Sequence, residues 1–214
     1  MPQEFQIESY LSSKQLNHQS VSLVIPRIAR DKIHNAMYYR VNLNTVSLRG
    51  DTIECLSKVI VRDLGSLAEP GSFQQVHVLG GIEFQCLLMK LVEIRPTWDQ
   101  LEVMLQEDNT GFNNKYIVGL ILAYIRIQYY FLQVEDPLAQ RFRVLFKHYY
   151  NDYRKMKSVL FDQDCWTKSQ TVSVNILHMD ELVEWLLERE EIWGIPLGKC
   201  QWKELEESSS DESD

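Results

Sequence analysis

Residues 116–132, YIVGLILAYIRIQYYFL, run from Tyr116 to Leu132 and are the most apolar stretch of the chain, interrupted only by Gly119, Arg126 and Gln128. The run is shorter than the roughly 20 residues of a membrane span and holds a charge near its end. A helix that is apolar nearly all round belongs at the buried centre of a helical bundle. Arg126 then requires a carboxylate or carbonyl partner, because an unpaired buried charge is costly.

Working outward from this segment, other stretches show apolar residues at three- and four-residue steps, the period of a helix with one buried face. Val21, Val24, Ile25, Ile28, Ile33 and Met37 predict a helix over Val21 to Tyr39, with Pro26 kinking it or lying in its first turn. Ile53, Leu56, Ile60 and Leu64 predict a second, near Ser47 to Leu64. Gly65 to Gly81 has the glycine and proline content of a loop. Ile82 to Glu93 is helical again, through Phe84, Leu87, Leu88 and Leu91, until Pro96 breaks it. Thr97 followed by Gln100 is a capping-box signature opening the helix of Trp98, Leu101, Met104 and Leu105. Leu138 to about Tyr153 predicts another helix, with Leu138, Phe142, Leu145, Tyr149 and Tyr153 facing inward. Met156 to Asp162 and Thr171 to Leu177 alternate or are β-branched, and predict a small hairpin around a polar loop. A last helix spans Asp180 to Arg189, acid-rich in its first turn, with His178 capping or packing at its start. The apolar segment Ile192 to Trp202 is expected to dock back on the body.

The expected class is therefore all-α: one mainly helical domain with a minor β-hairpin in the C-terminal third. Residues 1–16 form a loose polar leader, 17–203 the folded domain and 204–214 a disordered acidic tail. The 214 residues, 45% of them hydrophobic, are enough for a core without staples. The four cysteines, Cys55, Cys86, Cys165 and Cys200, form no CxxC pair, and the first twenty residues lack the apolar run of a signal peptide. Reduced thiols acting as small hydrophobes follow, in a cytosolic or nuclear compartment. Net charge is −8, but six acids lie between Glu204 and Asp214; without them 24 acids face 22 bases, and the body carries only −2. A broad basic footprint for nucleic acid is absent.

The common nucleotide-binding loops, G-x-x-x-x-G-K-[ST] and G-x-G-x-x-G, do not occur. Gly80-Gly81 precedes a helix without a lysine placed for phosphate, which favours a plain turn. His18, His34, His77, His148 and His178 fall in no zinc-ligand spacing. No catalytic residue, metal or cofactor is assigned, and no enzyme activity is expected.

One constellation stands out. Between Arg141 and Lys157 lie six bases, Arg141, Arg143, Lys147, Arg154, Lys155 and Lys157, against one acid, Asp152, with five aromatics interleaved. At 100° per residue Arg143, Lys147, Tyr150 and Arg154 share a stripe away from the inward face, with Lys155 and Lys157 beside it. Such a stripe suits an acidic segment of a partner protein. It equally suits RNA phosphates, with Tyr150 as a stacking surface, or a solvated face whose long side chains cover apolar surface. In the tail, Ser208, Ser209 and Ser210 precede acids, a pattern for an acid-directed kinase or simply a solubilising end.

Several whole strings carry a resemblance. They are Asn17–Ser20 leading into Ile33–Tyr39 (IHNAMYY), Gly80–Phe84 (GGIEF) with Ile94–Pro96, Tyr150–Ser158 (YNDYRKMKS), and His178–Val183 (HMDELV) leading to Ile192–Trp202 (IWGIPLGKCQW). Over about residues 15–203 the chain resembles the pre-mRNA-splicing factor 38 family, in particular its short fungal members. The resemblance implies a mostly helical, non-enzymatic nuclear component of the tri-snRNP, needed when the spliceosome is activated. It also implies a protein hub whose partners are a small zinc-finger splicing protein and a long helical protein related to microfibrillar-associated protein one. Contact with the tri-snRNP small nuclear RNAs would be indirect, and neither a membrane nor a small-molecule substrate is implied. The larger members carry an Arg/Ser-rich tail, where this chain ends in serines and acids.

Overall fold

The computed structural model describes residues 25–65, 77–106, 114–130, 132, 135–161, 172–198 and 200. Helix α1 spans Arg27–Asn35, followed by a π-helical turn over Tyr39–Leu43; α2 spans Ile53–Leu64, α3 Ile82–Ile94, α4 Trp98–Leu105, α5 Lys115–Tyr129 and α6 Pro137–Tyr149. Strands β1 (Lys155–Phe161) and β2 (Val172–His178) follow, then α7 (Met179–Glu188) and the two-residue strands β3 (Glu191–Ile192) and β4 (Ile195–Pro196).

The apolar run at 116–132 does what its composition requires: α5 is the central helix, buried at every position from Tyr116 to Tyr129. Asn114 caps its start by accepting the Tyr116 N–H, one of the amides a helix leaves unpaired. Around it pack α2, α3, α4, α6 and α7. Helix α3 is buried from Phe84 to Val92, so the two most apolar helices of the sequence are also the two innermost.

Helix ends follow local signals. Thr97 and Gln100 make both bonds of the capping box on α4. Asp136 accepts the Leu138 N–H ahead of Pro137, whose missing amide costs nothing at the first helical position. His178 caps α7, and Glu181 reaches back to the His178 N–H at 2.7 Å.

Three helix boundaries differ from those the periodicity suggests. Pro26 is the N-cap of α1, and α1 closes at Ala36 in extended conformation before the π-helical turn begins. The buried ridge is Ile25, Ala29 and Ile33, while Ile28 and Met37 face solvent; Val21 and Val24 lie outside the described residues. Helix α2 starts at Ile53 rather than Ser47, because Thr52 is its cap and the backbone at Arg49 and Gly50 has positive φ. All four residues of its expected face, Ile53, Leu56, Ile60 and Leu64, are buried. Helix α6 ends at Tyr149, so Tyr153 lies beyond it and is 68% exposed rather than inward. Ala139 and Phe146 take deep positions beside Phe142 and Tyr149, and Leu138 and Leu145 are half-buried.

The hairpin stands where alternation places it. Strands β1 and β2 pair antiparallel, with Lys155 opposite His178 and Val159 opposite Val174, and Leu79 adds a parallel bridge to Ser158 on the other side of β1. A second, smaller hairpin, β3–β4, was not anticipated from the sequence. Its turn residues Trp193 and Gly194 have φ of 52° and 76°, the doubly positive pattern of tight hairpin turns. It docks as the apolar composition of 192–202 requires: Ile192, Trp193, Ile195 and Leu197 are all buried.

Buried polar groups tie the elements together. Glu93 accepts from His34 (2.8 Å) and Tyr39 (2.7 Å) and pairs with Lys90 (3.1 Å), which reaches Asp51 at 2.7 Å. Burial pushes the Glu93 carboxyl up, but these three partners outweigh it and hold the group below its ordinary value. Trp193 joins both hairpins to the bundle: it lies edge-on to Phe84, its carbonyl accepts from Gln85, and its indole N–H donates to Ser158. Gly80, with φ +73°, passes directly over the Trp193 ring.

Candidate protein-binding surface

The basic-aromatic stretch 141–157 is divided by the fold between a helix, a turn and a strand. On α6 the phase that buries Ala139, Phe142, Phe146 and Tyr149 leaves Arg141, Val144 and Lys147 exposed, with Tyr150 just past the helix 51% exposed. Arg143 is half-buried, and its Nε and Nη2 both donate to the Tyr129 hydroxyl at 3.2 and 3.1 Å. It therefore fastens α6 to α5 as well as contributing charge.

After Tyr150 the chain turns through Asn151 and Asp152. The Asp152 carboxylate accepts the Arg154 backbone N–H at 3.0 Å and pairs with the Arg154 guanidinium at 2.6 Å. Burial raises the Asp152 carboxyl, yet these bonds from Arg154 prevail and hold it below the usual carboxylate range. The carbonyls of Asp152 and Arg154 receive the N–H groups of Asp180 and Met179 at the start of α7. The turn is thus fixed from both sides. His148, Tyr149, Asn151, Asp152, Tyr153 and Arg154 line an open depression here.

Lys155 and Lys157 on β1 are exposed, while Met156 between them and Ser158 after them are buried. This is the period-two alternation of a half-buried strand. The Lys157 N–H donates to the Tyr116 hydroxyl at 3.0 Å, and Lys115 donates to the Lys155 carbonyl, so α5 holds the base of the strand.

The helical stripe expected from sequence therefore holds for Arg143, Lys147 and Tyr150. Arg154 reaches the same end of the molecule by a turn, outside any helical phase, and is engaged by Asp152. Of the six partner-binding candidates Lys147, Lys155 and Lys157 are the exposed cations, with Arg141 exposed nearby; Val144, and Tyr153 contrary to its expected inward position, add exposed apolar area. Val144 was legible, since it lies off the 139, 142, 146, 149 phase. Tyr153 was not, because its direction depends on where α6 stops. A narrow groove of about 160 Å³ opens between α4 and α6, lined by Pro96, Trp98, Leu101, Leu138 and Phe142 among others.

Among the described residues no three His, Cys, Asp or Glu side chains come together as metal ligands, and no helix is long and apolar enough to cross a membrane. Cys86 is buried, which pushes its thiol up to about 12, whereas Cys55 and Cys200 are half-buried. Cys165, His18, Trp202, residues 1–16, the tail 204–214 and Ser208, Ser209 and Ser210 lie outside the described residues.

Fold and surface together define a mainly helical domain that carries a small β-hairpin and a basic-aromatic end. The chain belongs to the PRP38 family, whose sequence profile matches residues 14–209. It is 50% identical over 218 residues to Pre-mRNA-splicing factor 38 of Saccharomyces cerevisiae, an alignment covering 98% of this chain and 90% of that protein. Its fold is similar to a chain in the crystal structure of the Snu23-Prp38-MFAP1 complex of Chaetomium thermophilum. The TM-score is 0.56 at 18% identity, over 94% of this chain and 88% of that one.

Proposed function

We propose that this chain is a non-enzymatic pre-mRNA splicing factor that works in the nucleus as a protein-binding scaffold. In this reading it is a component of the tri-snRNP required for spliceosome activation. The observation that carries the proposal is the 50% identity to a splicing factor along nearly the whole chain. Its partners are spliceosomal proteins, of the kind named with the structurally similar chain in its Snu23-Prp38-MFAP1 complex, and small nuclear RNAs are met through them.

The surface supports this role physically. Lys147, Lys155 and Lys157 are exposed cations on rigid elements, and Val144, Tyr150 and Tyr153 offer apolar and aromatic area beside them. Partner binding is assigned to Arg143, Lys147, Tyr150, Arg154, Lys155 and Lys157. Charge complementarity to an acidic segment supplies orientation and on-rate, and the aromatics supply buried contact. Half-exposed Tyr150 beside Lys147 also favours a second reading, direct binding of single-stranded RNA by stacking and phosphate contact.

The test is gentle purification of the tagged chain from cells, with sequencing of the small RNAs that accompany it. Recovery of the tri-snRNP small nuclear RNAs is expected. Their absence, with clean recovery of the protein, would overturn the assignment. For the second reading, the isolated chain binds single-stranded RNA with an affinity that falls steeply with salt; the scaffold reading expects weak RNA binding or none, and firm capture of a protein segment.

A further inference from the structure

The outer edge of the hairpin, on β2, is paired with no described residue. In an antiparallel pair, opposed residues alternate between those that exchange both backbone bonds and those whose N–H and C=O point away from each other. Leu79 donates to the Lys157 carbonyl at 2.8 Å and accepts from the Val159 N–H at 2.9 Å, on the side of β1 away from β2. Lys157 faces Ile176 and Val159 faces Val174. The backbone groups of Val174 and Ile176 must therefore point outward, away from β1, to an edge where no described residue pairs with them.

The same two residues expose their side chains: Val174 is 53% and Ile176 68% exposed, and Ser173 and Asn175 between and beside them are exposed too. Residues 172–177, VSVNIL, contain no charge and no proline. Proteins ordinarily blunt such an edge with a lysine, a proline or a bulge, because it is a template for strand addition. Here β1 and β2 carry two lysines, Lys155 and Lys157, and no acid. Both lysines lie on the face that carries Val174 and Ile176. An added strand would lie two inter-strand steps from β1, about 10 Å, within reach of a lysine and a glutamate extended toward each other over Ile176.

We propose that the β2 edge binds an extended acidic segment of a partner protein as an added β-strand, through the backbone of Val174 and Ile176, with Lys155 and Lys157 selecting its charge. This rests on the scaffold reading and names the form of one of its ligands. The chain's own acidic tail matches the charge, but 204–214 contain no β-branched or aromatic residue, which makes them a poor strand. A second copy of β2 would bring neutral side chains to the edge and leave the lysines unanswered.

The test uses the full chain and a labelled eight-residue peptide alternating valine with glutamate. Binding is expected, at least about tenfold tighter than for the same peptide with lysine in place of glutamate. Ile176→Pro removes one outward N–H and leaves the β1–β2 bonds of Asn175 and Leu177 in place; it should abolish binding while circular dichroism is unchanged. Amide exchange at Val174 and Ile176 should slow when the peptide is added. Failure of the acidic peptide to bind, or equal binding by Ile176→Pro or by the lysine peptide, would overturn the proposal. So would edge amides already protected in the free chain and released by ending it after Lys203, or by dilution, which assign the edge to the tail or to a second copy. Recovery of small nuclear RNAs with the chain does not depend on these outcomes, so the scaffold reading keeps its separate test.

Discussion

Arg126 Nη2 donates to the carbonyl of Gly198 at 2.7 Å, across 72 residues of sequence. The same guanidinium gives Nη1 to Leu197 at 2.8 Å and Nε to Leu186 at 2.7 Å. One buried cation on the central helix thus terminates α7 and fastens the segment after β4. The geometry requires Gly198 to have φ +68°, and a Cβ there would lie 2.3 Å from the Tyr130 ring. Among the described residues Arg126 has no carboxylate partner; three carbonyls answer its planar fork.

Arg126→Met leaves these carbonyls stranded, each costing about 1–3 kcal/mol. A loss of roughly 3 kcal/mol or more in unfolding free energy is expected, read as a lower urea midpoint. Arg126→Lys, with one nitrogen for three, should fall between wild type and the methionine variant. Amide exchange after Ile195 should accelerate in both.

Gly80→Ala introduces a Cβ 2.1 Å from Trp193 Cδ1 at a backbone with positive φ. Backbone strain and the displaced indole together predict a destabilisation of about 2 kcal/mol or more. A shift of tryptophan emission toward that of exposed indole should accompany it, because Trp193 is the anchor that moves.

Acid sensitivity should follow Glu93. Its carboxyl is held below its ordinary value of 4.5 in the folded state, so the unfolded chain takes up the proton first. The stabilisation is complete above 4.5 and is lost as pH falls through the folded value. Glu93→Gln should flatten the dependence of stability on pH in that window, and should cost about 2–4 kcal/mol near neutrality by taking the charged acceptor from Tyr39 and His34 and leaving buried Lys90 with Asp51 alone. Urea titrations between pH 3 and pH 7 measure both effects.

Lys147→Glu, Lys155→Glu and Lys157→Glu, made together, act on exposed side chains and should change stability by no more than about 0.5 kcal/mol each. Capture of splicing partners should weaken by about tenfold or more if this end of the molecule binds acidic segments. Undiminished capture by a folded triple variant would remove the basic surface from the interface. Arg143 and Arg154 are less clean probes, because each also holds the fold, through Tyr129 and Asp152.

What the sequence determined by itself was the set of elements whose signals are local. Continuous apolarity placed α5 at the centre, Thr97 with Gln100 started α4, and alternation after Met156 announced the hairpin. Apolar composition alone required 192–202 to dock. The long strings that resemble the splicing factor 38 family point to that family without any knowledge of packing being needed. Tertiary structure alone decided which carbonyls answer Arg126, since a buried guanidinium requires acceptors but its sequence cannot say from where. It also stopped α6 at Tyr149, where Asp152 turns the chain to meet α7, and so turned Tyr153 outward and separated Arg154 from the stripe. Most of all it decided the outer edge of β2, with which no described residue pairs. Leu79 takes the bonds on one side of β1, and only that register of long-range hydrogen bonds fixes which way the backbone of Val174 and Ile176 points.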